Sequence, residues 1–257
     1  MERMIAASDG QVGLDVDGVR EVHIELVAGE VSVGGTTSPS WLEVTCLVGN
    51  PVSVQLADGV LIVRQGPGLS KFDRASVTLT VPPDTPLRVR TISAGVLIAG
   101  LAADCRARTV SGEVTGSFLG GEVNLSTLSG DIAVEGVAGR LRATTVSGSI
   151  TLTAASPQQL AAKALSGDIA VDLDPRPGGS YECQTVSGGT SVRLAPDAGV
   201  DVEAATLSGR VLSDTEERSS GWPRRRSWQL GDGGSALRVR TLSGDIVVLR
   251  QKEPVTV

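Results

Sequence analysis

Eight serines recur in one tetrapeptide context and invite a reading as nucleophiles. The copies are Thr91-Ile92-Ser93-Ala94, Thr109-Val110-Ser111-Gly112, Thr127-Leu128-Ser129-Gly130, Thr145-Val146-Ser147-Gly148, Ala164-Leu165-Ser166-Gly167, Thr185-Val186-Ser187-Gly188, Thr206-Leu207-Ser208-Gly209 and Thr241-Leu242-Ser243-Gly244. The residues that follow seven of them, Glu113, Asp131, Ser149, Asp168, Gly189, Arg210 and Asp245, form a partly acidic column. Stacked acids of this kind would bind calcium or supply the carboxylate pair of a polysaccharide-cleaving enzyme. Nucleophilic catalysis needs one activated serine with a base beside it, however, whereas a structural corner is needed once per repeat. The single histidine, His23, falls on the solvent face of a strand pattern, and no second His or Cys near it completes a zinc set. The serines and acids therefore read as corner residues, and no catalytic residue, metal ligand or cofactor is expected.

The last chemistry-bearing group is a segment around 213–235 that interrupts the repeat. It carries Trp222, Arg224, Arg225, Arg226 and Trp228. Tryptophan and arginine are the residue types that dominate interaction hot spots. The segment is expected to project as a loop or a long hairpin, and reads either as a contact surface for a protein partner or as a solvated loop in which Arg and Trp pack on each other.

The elements that position these residues follow from the spacing. The serines are separated by 18, 18, 18, 19, 21, 21 and 35 residues. Between corners the chain alternates apolar and polar residues, as in Val123, Leu125, Ile132 and Val134, which is the period of a strand. Leu128 interrupts that alternation and is expected to point inward where the chain turns. Four positions before the Thr column stand Leu87, Cys105, Val123, Leu141, Leu160, Tyr181, Val202 and Leu237. Two before it stand Val89, Ala107, Leu125, Ala143, Ala162, Cys183, Ala204 and Val239, so Cys105 and Cys183 both occupy apolar columns, as small buried hydrophobes do. One such coil cannot offset its ordering entropy, so the repeats must stack. Ser-Gly suits the corners because glycine tolerates positive φ and the hydroxyl reaches nearby backbone. The fold class is all-β: a β-solenoid of stacked 18–21-residue coils (86–257, with a loop insertion at about 213–235) behind an N-terminal β cap (1–85).

Composition agrees. The 257 residues include 32 glycines but only 2 Phe, 1 Tyr and 3 Trp, as a thin, turn-rich core requires. A formal charge of −6 argues against nucleic acid as the partner. The N-terminus has no signal-like apolar stretch and no run is long enough to span a bilayer, so a cytoplasmic location without membrane insertion is expected. The charged and proline-containing end at Lys252, Glu253 and Pro254 is read as a guard against end-to-end addition, with self-association left open.

The T-[VIL]-S-G-[DES]-[IV] units over 91–250, with Leu230–Gly234 before Leu242-Ser243-Gly244-Asp245-Ile246, resemble the bacterial β-strand-repeat proteins called "putative adhesins", or Toastrack domains. The resemblance implies a β-solenoid, an association with cell-envelope stress systems of the phage-shock type, and no catalytic residues. The expected function is a non-enzymatic interaction scaffold, as an accessory of an envelope stress response. Two alternatives are an exported adhesin or surface polymer and, behind it, a carbohydrate-active β-helix enzyme.

Overall fold

A computed structural model describes residues 3–7, 10–66, 73–214 and 224–251. Every regular element among them is a strand, and the fold is a β-solenoid. The chain divides into two compact units, Met1–Gly130 and Asp131–Val257.

The first unit contains β1 (Arg3–Ala7), β2 (Gly10–Asp15), β3 (Glu21–Leu26), β4 (Gly29–Gly35), β5 (Trp41–Val48), β6 (Val52–Ala57), β7 (Val60–Gln65) and β8 (Arg74–Val81). It continues with β9 (Leu87–Thr91), β10 (Gly95–Ala99), β11 (Cys105–Thr109), β12 (Val114–Leu119) and β13 (Glu122–Thr127). One sheet runs β1-β6-β7-β3-β9-β11-β13 and the other β2-β5-β8-β4-β10-β12. From β7 and β8 onward the neighbours are parallel, which is the signature of stacked two-strand coils. Beyond them β6, β1, β5 and β2 pair antiparallel. Parallel stacking thus begins inside the first 85 residues, and the β3–β4 coil stands between β7–β8 and β9–β10. Asp58 and Gly59, both at positive φ, form the tight β6–β7 hairpin turn.

The second unit contains β14 (Ile132–Val137), β15 (Arg140–Ser147), β16 (Ile150–Ala155), β17 (Gln159–Ser166), β18 (Ile169–Leu173), β19 (Ser180–Ser187), β20 (Thr190–Leu194) and β21 (Val200–Ser208). It ends with β22 (Val211–Ser213), β23 (Arg224–Leu230), β24 (Ala236–Ser243) and β25 (Ile246–Arg250). Its sheets run β15-β17-β19-β24-β21-β23 and β14-β16-β18-β20-β25-β22. Here the order departs from the chain. The last coil, β24–β25, is inserted between β19–β20 and β21–β22, and the longest gap between corners is this detour.

Alternate residues of each strand face inward. In the second unit Leu141, Leu160, Tyr181, Leu237 and Val202 form one buried column, and Ala143, Ala162, Cys183, Val239 and Ala204 another. Such identical layers bury each coil's apolar face on its neighbours. Tyr181, the largest fully buried side chain, is accommodated because its hydroxyl accepts the Arg176 amide at 2.7 Å.

Candidate interaction surface

The corner tetrapeptides divide their labour residue by residue. The threonines point inward and are buried, and their hydroxyls tie the corner backbone. Thr109 and Thr127 Oγ1 accept the amides of Gly112 and Gly130, each at 2.9 Å. Thr185, Thr241 and Thr206 Oγ1 donate to the carbonyls of Gly167, Gly188 and Gly244 at 3.0–3.2 Å. The glycines sit where stacked backbones nearly touch. A Cβ on Gly112, Gly130, Gly167, Gly188, Gly209 or Gly244 would collide with the carbonyl oxygen of the residue at the same corner of an adjacent coil. Positive φ explains only part of the column: Gly148, Gly167, Gly188 and Gly244 lie at +148° to +157°, whereas Gly112, Gly130 and Gly209 do not adopt it. Close approach is therefore the common reason for glycine here.

The serines line the outside of the corner. Ser93, Ser111 and Ser129 Oγ donate to carbonyls of a neighbouring coil at 3.3–3.4 Å. In the second unit the serines align as Ser147, Ser166, Ser187, Ser243 and Ser208. The acids after the corner are used in the same way. Asp131, Asp168 and Asp245 Oδ1 accept the amides of Ser149, Gly189 and Arg210 at 2.7–2.8 Å. The non-acidic members of that column are thus the residues whose amides the aspartates cap. Among the described residues no group of three or more His, Cys, Asp or Glu could hold a metal ion.

The remaining tetrapeptide position was expected inside and lies outside. Leu128 is 52 % exposed, and Ile92, Val110, Val146, Leu165, Val186, Leu207 and Leu242 are all exposed too. Alternation is not interrupted at the corner, because threonine takes the inward place and the aliphatic residue the outward one. From Ile92 onward each tetrapeptide corner adds one outward aliphatic side chain, so each unit carries an aliphatic ridge at the roughly 4.8 Å spacing of paired strands. Strand propensity does not account for it, since four of the eight are leucine, which lacks a β-branch.

The Arg/Trp segment is distributed rather than clustered. Trp222 and the Arg224 side chain lie outside the described residues. Strand β23 pairs antiparallel with β21, placing Arg224, Arg225, Arg226 and Trp228 opposite Thr206, Ala205, Ala204 and Val202. Arg226 and Trp228 therefore lie on the inward side, half-buried, and the Arg226 Nε and Trp228 Nε1 atoms are buried without hydrogen-bond partners. Arg225 faces outward and contacts Glu203 at 2.9 Å, which also meets Arg238 and Arg240 at 3.3 and 3.5 Å. Partial desolvation pushes the Glu203 pKa up, but the three guanidiniums outweigh it and the net shift is downward. The end guard at 252–254 also lies outside the described residues.

Cys105 and Cys183 are buried free thiols. Burial pushes both up to about 12, so neither is a nucleophile near neutral pH.

Parallel two-strand coils with threonine–glycine corners and an outward aliphatic row define a β-solenoid of the bacterial strand-repeat class. The chain belongs to the Toastrack DUF4097 family, whose model matches residues 14–249. Among solved structures it is similar to a "putative adhesin" from Bacteroides fragilis NCTC 9343, with 14% identity, a TM-score of 0.54 and coverage of 96% of this chain and 97% of that one. It also matches a "putative lipid binding protein" from Parabacteroides distasonis ATCC 8503, at 15% identity and a TM-score of 0.46, covering 98% of this chain and 96% of the other. At these identities the likeness is one of fold. No curated protein matches significantly.

Proposed function

We propose that the chain is a non-enzymatic interaction scaffold that holds a protein partner along the aliphatic ridge of its second unit, Val146, Leu165, Val186, Leu242 and Leu207. The observation that carries this reading is that all five are aliphatic, exposed and stacked coil on coil. Two cations beside the ridge are paired within the chain: Lys163 meets Glu182 at 3.3 Å, and Arg240 meets Glu203 at 3.5 Å. An apolar row rimmed by polar and charged side chains suits a protein contact. Covering the exposed half of each side chain is worth about 1 kcal/mol, a sum that fits a reversible partner. The setting within a cell-envelope stress response rests on the family resemblance, and a cytosolic site of action is part of the same proposal.

Cross-linking mass spectrometry in cells tests it. The parent chain is expected to capture a specific partner that a Leu165→Ser/Leu242→Ser variant loses and an Arg193→Ser variant retains. Identical capture by all three, or no specific partner, would overturn the ridge as the contact. Fractionation that recovers the chain only at the cell surface would overturn the cytosolic placement.

A further inference from the structure

The ridge of the first unit has exposed arginines beside it. Two outward columns of the sheet lead up to Ile92, Val110 and Leu128. One runs Ile62, His23, Arg88, Arg106, Asn124 and the other Arg64, Glu25, Arg90, Arg108, Ser126. Together they hold five arginines and one glutamate, a net charge of 5 − 1 = +4 in a chain whose total is −6. Glu25 is shared by Arg64 at 2.8 Å and Arg90 at 3.7 Å, and Glu21 at the margin meets Arg88 at 3.4 Å. Arg106 and Arg108 are exposed and have no ion-pair partner among the described residues. Asp104 and Glu122, at the strand starts, accept only the neutral Glu122 amide and Asn124 in these bonds, so with Glu21 they keep their charges one column farther from the ridge than Arg106.

We propose that this face, Arg106 and Arg108 with Ile92, Val110 and Leu128, docks the first unit onto an anionic phospholipid bilayer. The chemistry selects that occupant. Unpaired guanidiniums attract anionic headgroups, and aliphatic side chains at the same margin enter the headgroup–acyl boundary. A single-stranded nucleic acid would call for aromatic stacking platforms, and none of the five residues is aromatic. An added peptide strand would need free backbone groups, but β9 and β11 are paired on both sides. Binding here is peripheral and does not depend on the second unit's ridge.

Co-sedimentation of the full chain with vesicles tests the proposal. Binding to phosphatidylglycerol-containing vesicles is expected, falling as ionic strength rises, with none to pure phosphatidylcholine. Arg106→Ser/Arg108→Ser should weaken it about 30-fold, and Val110→Ser/Leu128→Ser about tenfold. Arg193→Ser, on the other sheet of the second unit, should bind as the parent does. All these positions are exposed, and an unchanged melt for each variant separates lost docking from lost folding. Failure of the parent to bind anionic vesicles would overturn the proposal. So would binding equal to the parent's by either double variant, or tighter, equally arginine-dependent binding to a polyuridine probe.

Discussion

Asp245 and Arg210 lie 35 residues apart in the chain but on adjacent coils, and the Asp245 carboxylate accepts both the Arg210 amide and its guanidinium, each at 2.8 Å. The pairing exists because the last coil is inserted beneath the one that precedes it. Gly189 is capped by Asp168, Arg210 by Asp245, and the column alternates between acid and capped amide only in this spatial order. Asp245→Ala should cost about 1 kcal/mol through the lost hydrogen bond to the amide. Arg210→Ala should leave the melt nearly unchanged, since exposed ion pairs contribute little. Thermal unfolding of the two variants checks both expectations, and equal losses would contradict the role given to the amide.

One corner supplies a pair of opposite outcomes. A side chain on Gly130 would strike the Gly112 carbonyl, so Gly130→Val should destabilise by roughly 1–3 kcal/mol through overpacking. Leu128, two residues earlier, points to solvent, so Leu128→Asp should stay within about 0.5 kcal/mol of the parent. Denaturant melts of both would decide the register. A large loss from Leu128→Asp would place that side chain inside.

The contrast shows what the residues disclose on their own. The periodic apolar columns identify the coils, and the apolar alternation at 22–26, 31–33, 52–56, 60–64 and 77–81 falls within strands in each case. Gln159–Ser166 is a strand despite its helix-favouring composition, because the repeat register dominates. The facing of Leu128 was hidden because hydrophobicity ranks leucine above threonine for the inside. The corner reverses the ranking, since its backbone groups need a buried hydroxyl. The order of the last coils was hidden for another reason: each repeat matches every other, so register says which residues align but not which coils adjoin. Of the loop and the long hairpin expected for the Arg/Trp segment, the antiparallel pairing of β23 with β21 corresponds to the hairpin.

The thiols offer a test of burial that is independent of stability. Cys105 and Cys183 lie in inward columns and their thiols are pushed up to about 12. Peptide mapping after alkylation near neutral pH should find both unmodified in the native chain and both modified in denaturant. Native labelling of either would show that its column is open to solvent.

Two buried positions in the second unit should respond to a hydroxyl with opposite sign. Thr190 pairs with Ile169 on one side and Ile246 on the other, in a column otherwise built of aliphatic residues. Its Oγ1 is buried without a partner, so Thr190→Val removes an unsatisfied group at nearly constant volume and should stabilise by about 1–2 kcal/mol. Ala164 is the mirror case. It stands between Thr145 and Thr185 in the corner column, where Thr185 Oγ1 donates to the carbonyl of Gly167 at 3.1 Å. Ala164→Thr would aim a hydroxyl at the equivalent carbonyl, that of Gly148, and should add about 1 kcal/mol. The sites lie in different sheets and share no partner, so the gains should sum in the double variant. A loss at position 164 would mean that the corner has no room for the added atoms. A loss at 190 would mean that the threonine hydroxyl is bonded after all.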